Sequence, residues 1–178
     1  MKYRFLYVLL VCTILLVTGC GSSKATTDTE ASTEEILETI YADCEGINYY
    51  LNRFNSVNPD SAITSDMPEK YHHHGTDHDY QVTYISDGFD FCLTGGDIGE
   101  NLEVDVQAVD PKTNDDYKAV FFKYAKGFNP DFSDSTLEDY WNQLLEDLTN
   151  SVEFDEFECD LRTNDDKIIM LVIDGKNG

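Results

Sequence analysis

The ten residues Tyr71–Tyr80, YHHHGTDHDY, gather all four histidines of the chain beside Asp77 and Asp79. Neutral imidazole and carboxylate are ligands that zinc and its neighbours take from proteins. In an extended stretch His72 and His74 point to one side, and Gly75 permits a turn that returns Asp77 or His78 toward them. His72, His74, Asp77 and His78 are therefore the candidate ligands for a divalent transition metal. The spacing is not that of a metalloprotease helix. His74 and His78 stand four apart, but Gly75-Thr76 interrupts any helix between them and no H-E-x-x-H is present. The plainer expectation is a polar loop leading into a hairpin, with histidines hydrogen-bonded to nearby carboxylates. Pairing with Asp77 or Asp79 raises an imidazole pKa and makes the loop respond to pH.

Other chemistries find less support. The chain has no G-x-S-x-G elbow, Walker loop, dinucleotide fingerprint or EF-hand loop. Asn129–Ser133 begins like a calcium loop, yet Asp134 takes its glycine position and Tyr140 its bidentate glutamate position. A cysteine nucleophile needs a histidine beside it, and Cys44, Cys92 and Cys159 each fall within an expected helix or strand. No catalytic residue is assigned. The reading favours a non-enzymatic binding or interaction module, with a metal-binding protein as the alternative and a hydrolase as the third choice.

The first residues specify an address. Lys2 and Arg4 precede an uninterrupted apolar run, Phe5 to Val17, 13 residues long. That is shorter than the roughly 17–25 residues of a spanning helix and fits the core of a signal peptide. The run ends in Val17-Thr18-Gly19-Cys20. This resembles the lipobox of bacterial lipoproteins, with residues 1–19 as the signal peptide. The resemblance implies that Cys20 receives a diacylglyceryl thioether and becomes the mature N-terminus, holding the protein to the extracytoplasmic face of the cell membrane. Two acyl chains anchor stably where one does not. Residues 20–32, CGSSKATTDTEAS, are too small and polar to bury a core and are expected to form a flexible tether with a reach of roughly 20 Å.

The remaining stretch, residues 33–176, is long enough for a single domain. The chain carries 12 Lys+Arg against 35 Asp+Glu, a formal −23, and loss of Lys2 and Arg4 with the leader takes it to −25. Such a surface repels phosphates and anionic headgroups, which excludes nucleic acid as a partner and excludes lying flat on lipid. Acid is densest from Asp131 to Asp166, with 13 acidic residues against Arg162 alone. A solvated face is the plain expectation; a cationic partner, a protein or another component of the envelope, or loosely held divalent ions are the sharper ones. Cys44, Cys92 and Cys159 sit in a compartment that permits a disulfide, but three cysteines do not determine a pair.

The elements that must hold these residues follow from periodicity and punctuation. Thr33–Cys44 reads as a helix, with Ser32 and Glu35 at capping-box spacing. Ile47–Phe54 reads as a second short helix or turn. Tyr80–Ser86 and Phe89–Thr94 form a hairpin about Asp87-Gly88, which sets Tyr84 opposite Phe91 and Val82 opposite Leu93. Leu102–Val109 alternates strictly and predicts a strand with one wet face. Thr113 or Asn114 caps a helix that Gly127 stops. Ser135 and Glu138 then cap another along Leu137, Tyr140, Trp141, Leu144 and Leu148. Val152–Leu161 reads as one strand bulged near Asp155-Glu156. Lys167–Ile173 is apolar on both faces, as in a central strand covered on both sides. The expectation is an α+β domain, order α-α-β-β-β-α-α-β-β, with an antiparallel sheet of about five strands and helices packed on it.

Overall fold

In a computed structural model, residues 39–72, 80–148, 150–165 and 167–176 are described. Among them, three α-helices pack on one antiparallel sheet of seven strands, in the spatial order β1-β2-β3-β4-β7-β6-β5. The chain runs α1 (Glu45–Val57), β1 (Glu69–His72), β2 (Tyr80–Ser86), β3 (Phe89–Gly95) and β4 (Asn101–Ala108). It continues through α2 (Asn114–Phe128), α3 (Asp134–Glu146), β5 (Val152–Glu153), β6 (Phe157–Asn164) and β7 (Lys167–Lys176). The expected architecture of about five strands and four helices is therefore corrected to a more sheet-rich one.

Two of the seven strands escaped the sequence pattern for separate reasons. β1 is a four-residue edge strand whose Glu69 and Lys70 carry no apolar alternation. The expected single strand Val152–Leu161 is in fact β5, a reversal and β6. The Phe154 N–H donates to the Phe157 carbonyl at 2.8 Å, and Val152 returns opposite Cys159. The parity change that reads as a bulge is the chain turning back.

The hairpin of β2 and β3 has the expected register, Tyr84 opposite Phe91 and Val82 opposite Leu93. Asp87 and Gly88 both take positive φ, 53° and 77°, which is what a two-residue turn matching the strand twist requires. β4 alternates as read, with Leu102, Val104 and Val106 at 0 % exposure.

β7 lies centrally between β4 and β6, but cover on both faces is not what explains its composition. Arg162 of β6 pairs with Met170 and Thr163 with Ile168, so Ile169 is an extra residue on β7. This bulge resets the alternation. Ile168, Leu171 and Ile173 are buried together while Ile169 is exposed.

The helix expected over Thr33–Cys44 is not present in its described half. Residues 39–44 form no helix, because their backbone groups bond to side chains of α1 instead. Asn48 Oδ1 accepts from Tyr41 N at 2.7 Å and Ala42 N at 2.9 Å, and its Nδ2 donates to Ala42 O at 2.8 Å. One turn later Asn52 makes a similar pair with Thr39, accepting at 3.1 Å and donating at 2.8 Å. The part from Thr33 to residue 38 lies outside the described residues.

α2 begins at Thr113 with a reciprocal capping box. Thr113 Oγ1 accepts from Asp116 N at 3.2 Å, and the Asp116 carboxylate accepts from Thr113 N at 2.7 Å. Gly127 does not stop the helix, which runs on to Phe128. The glycine serves close packing, since a Cβ there would come within 2.7 Å of the Tyr50 ring on α1. The Arg53 guanidinium closes the helix end, donating to Phe128 O at 2.5 Å, where cationic groups are favoured. α3 is capped two residues earlier than expected, by Ser133 accepting from Thr136 N at 3.1 Å. Glu138 is then free to pair with Lys118 of α2 at 2.6 Å.

The core lies between the helices and one face of the sheet and is rich in aromatic rings. Phe91 of β3 stacks between Tyr84 and Tyr124, with centroids 5.0 and 4.6 Å away. Phe157 of β6 meets Phe121 and Phe128 of α2 at 6.1 and 5.9 Å. Each such ring contributes about 1.5–3 kcal/mol through burial. Three buried tyrosines satisfy one another's hydroxyls: Tyr50 Oη donates to Tyr124 O, and the Tyr84 and Tyr124 hydroxyls bond to each other, both at 2.9 Å. With all three helices on this side, the opposite sheet face is uncovered by any described helix.

Candidate functional site: an acidic sheet face

Of the proposed metal ligands, His72 is the last residue of β1, in register with Tyr80 of β2; the loop expected there is a strand at this end. His74, Asp77 and His78, like Cys20 and the lipobox, lie outside the described residues. Among the described residues no group of three or more histidine, cysteine or carboxylate side chains is arranged to hold a metal ion.

Cys44, Cys92 and Cys159 form no disulfide. Cys44 donates its thiol to Gly96 O at 2.9 Å where α1 meets the end of β3. Burial raises its pKa, and burial raises that of Cys159 well above the usual thiol value. Neither is poised as a thiolate nucleophile. Cys92 lies on the uncovered sheet face, accepting from Gln81 Nε2 at 2.8 Å.

The chemistry concentrates on that uncovered face. Strand alternation sends Leu102, Val104 and Val106 into the core and so turns Glu103 and Asp105 outward. The same alternation turns Glu158, Asp160 and Arg162 of β6 outward, and with them Met170, Val172 and Asp174 of β7. Register then aligns them. Glu153, Glu158, Asp174 and Glu103 are successive cross-strand partners on β5, β6, β7 and β4. One step along the strands, Asp160, Val172 and Asp105 form a second row. Four carboxylates in line and two flanking them lie on the face away from the core, on adjacent strands spaced roughly 4.8 Å apart.

Like charges directly opposite one another are unfavourable, and here that repulsion adds to the larger effect of burial. Desolvation raises the Glu103 pKa, with Asp105 and Asp174 adding to the shift. Desolvation likewise raises Asp105, with Asp160 adding, and Asp174, with Glu158 adding. Arg162 is the cation that offsets Glu103 and Asp105. Its Nε stands 3.7 Å from Asp160 Oδ2. The other oxygen, Asp160 Oδ1, is sheltered from solvent and has no hydrogen-bond partner.

Two clefts of about 220 Å³ each open on either side of the Glu158–Asp174 pair, which lines both. The first lies at the strand ends, between Asn101, Glu153, Phe154 and Glu156. The second lies between Glu103, Ser151, Asp160 and Arg162. Such a surface accepts hydrogen bonds and cationic charge, and in the second cleft the Ser151 hydroxyl already donates to the Glu158 carboxylate. The sequence showed that this part of the chain is acidic and that β4 has a wet face. The alignment of three or four strands into one row depends on the β4–β7 and β6–β7 registers, which no local pattern reveals.

Comparison with protein-family models, with curated proteins and with solved structures finds no match for this chain. Among the described residues no helix is long and apolar enough to cross a membrane.

Proposed function

We propose that the protein is a lipid-anchored extracytoplasmic module of the bacterial cell envelope that works by binding rather than by catalysis. The observation that supports binding is the one-sided sheet, whose exposed face is acidic across β5, β6, β7 and β4. A carboxylate surface kept clear of the core and of all three helices is suited to engage another molecule. The anchor is supported by the lipobox-like Val17–Cys20 at the end of a 13-residue apolar run. The test is fractionation of cells expressing the full chain and its Cys20→Ser variant. Membrane association and a lipid-dependent change in migration are expected for the first and not for the second. Equal behaviour of the two removes the anchor from the proposal.

The confinement of all four histidines to Tyr71–Tyr80 supports a second proposal, metal binding through His72, His74, Asp77 and His78. Stoichiometric zinc in untagged protein, lost in a His74→Ala, His78→Ala double variant, is the expected result. Metal-free wild type after zinc loading refutes it.

A further inference from the structure

We infer that the uncovered sheet face docks a cationic polypeptide segment whose lysine or arginine side chains lie over Glu158, Asp174 and Glu103. This rests on the binding-module reading and names the partner's chemistry. Three features lead to it.

First, among the described residues nothing packs on this face: β4, β7 and β6 turn Glu103, Asp105, Asp174, Glu158 and Asp160 outward while every described helix packs on the other side. Second, its charge is one-sided: it carries four carboxylates in line and two beside them, and among the described residues Arg162 is the cation that offsets Glu103 and Asp105. Asp160 Oδ1 adds an oxygen to which no described residue supplies a donor. Third, the carboxylates alternate with apolar groups. Val172 sits between Asp160 and Asp105 at 7 % exposure, and half-buried Met170 follows it along β7.

That mixture selects among cations. A bare metal ion has no use for Val172 and Met170, whereas lysine and arginine present an aliphatic stem with a charged head. The spacing also suits a polypeptide. Neighbouring carboxylates along the row are separated by roughly 4.8 Å at the backbone, close to the roughly 5–6 Å between side chains one turn apart on a helix. Phosphate-bearing partners are repelled by the same field.

The test uses the full-length chain in uncharged detergent micelles and a fluorescent decalysine peptide, with binding followed by anisotropy. The triple variant Glu103→Gln, Glu158→Gln, Asp174→Asn removes three charges from the face. A control triple, Asp115→Asn, Asp139→Asn, Glu146→Gln, removes three exposed charges from the helical side. The face variant is expected to bind about tenfold more weakly than wild type, corresponding to three pairs of modest strength. The control is expected to differ from wild type by less than about twofold. Equal weakening in both triples, or none in the face variant, overturns the proposal. So does displacement of the peptide by magnesium far beyond that by sodium at matched ionic strength, which would make the face a cation site. These outcomes are independent of Cys20→Ser fractionation, so the docking surface and the anchor can fail separately.

Discussion

Glu103 and Asp174 face each other across the β4–β7 ladder as direct cross-strand partners, two carboxylates with Glu158 in line beyond them. Desolvation and the neighbouring acids raise both pKa values above the ordinary carboxylate range, so the folded state holds these protons more tightly than the unfolded chain. A folded pKa above the unfolded one means that stability grows as pH falls through the raised folded values. The gain is complete once pH drops below the unfolded values near ~4. Asp66 and Asp116 shift the other way, lowered by hydrogen bonds to Thr64 and Thr113, but both are fully exposed. The expected outcome is a higher Tm at pH 5 than at pH 7.5 in low salt. A Tm that is lower at pH 5 than at pH 7.5 contradicts the assignment.

The same pair predicts an unusual mutational sign. Most substitutions destabilise, yet Glu103→Gln should stabilise, because it removes a like charge opposite Asp174 while keeping shape and hydrogen-bonding capacity. Cross-strand charge pairs are worth about 0.2–1 kcal/mol, and that is the expected gain at low ionic strength. It should shrink at high salt as screening replaces neutralisation. Denaturant midpoints in low and high salt measure both. A loss of stability in low salt would show that Glu103 makes a favourable contact outweighing the repulsion.

How far the sequence disclosed this arrangement depends on the range of the interaction concerned. Asp87-Gly88 and the partners it sets, Tyr84 with Phe91, are local, and the turn chemistry alone determines them. The cap of α2 is equally local: of the two candidates Thr113 and Asn114 it is Thr113, with Asp116 completing a capping box not expected from the sequence. Gly127 follows a helical pattern and so resembles a stop, but its reason for being glycine is Tyr50, far away in the chain. Ile169 reads as an apolar residue of a doubly covered strand, whereas it is the bulge at which β7 slips against β6. The acidic face divides the same way. Glu103 and Asp105 announce themselves by alternation, while their alignment with Asp174 and Glu158 exists only after two nonlocal strand pairings form.

Gly127→Ala tests the close approach of α1 and α2. In an isolated helix the change is favourable by about 1 kcal/mol. Here the new methyl would meet Tyr50 Cε2 at 2.7 Å, and Tyr50 is fully buried with its hydroxyl held by Tyr124 O. The ring has nowhere to retreat without breaking that bond. Overpacking of this kind costs about 1–3 kcal/mol, so net destabilisation is expected by equilibrium unfolding. A more stable variant would mean that the two helices separate freely.

Asn48→Ala tests the junction between the domain and the segment that precedes it. Asn48 engages Tyr41 N, Ala42 N and Ala42 O at once, and Tyr41 and Ala42 are themselves buried at 2 % and 1 % exposure. Alanine leaves three backbone groups unpaired, and each buried unpaired group costs about 1–3 kcal/mol. Asn52 still holds Thr39, so the segment should loosen locally before the domain unfolds. Hydrogen exchange should therefore accelerate at Tyr41 and Ala42 while the β4–β7 amides stay protected. Uniform acceleration throughout would instead place Asn48 in the global folding unit.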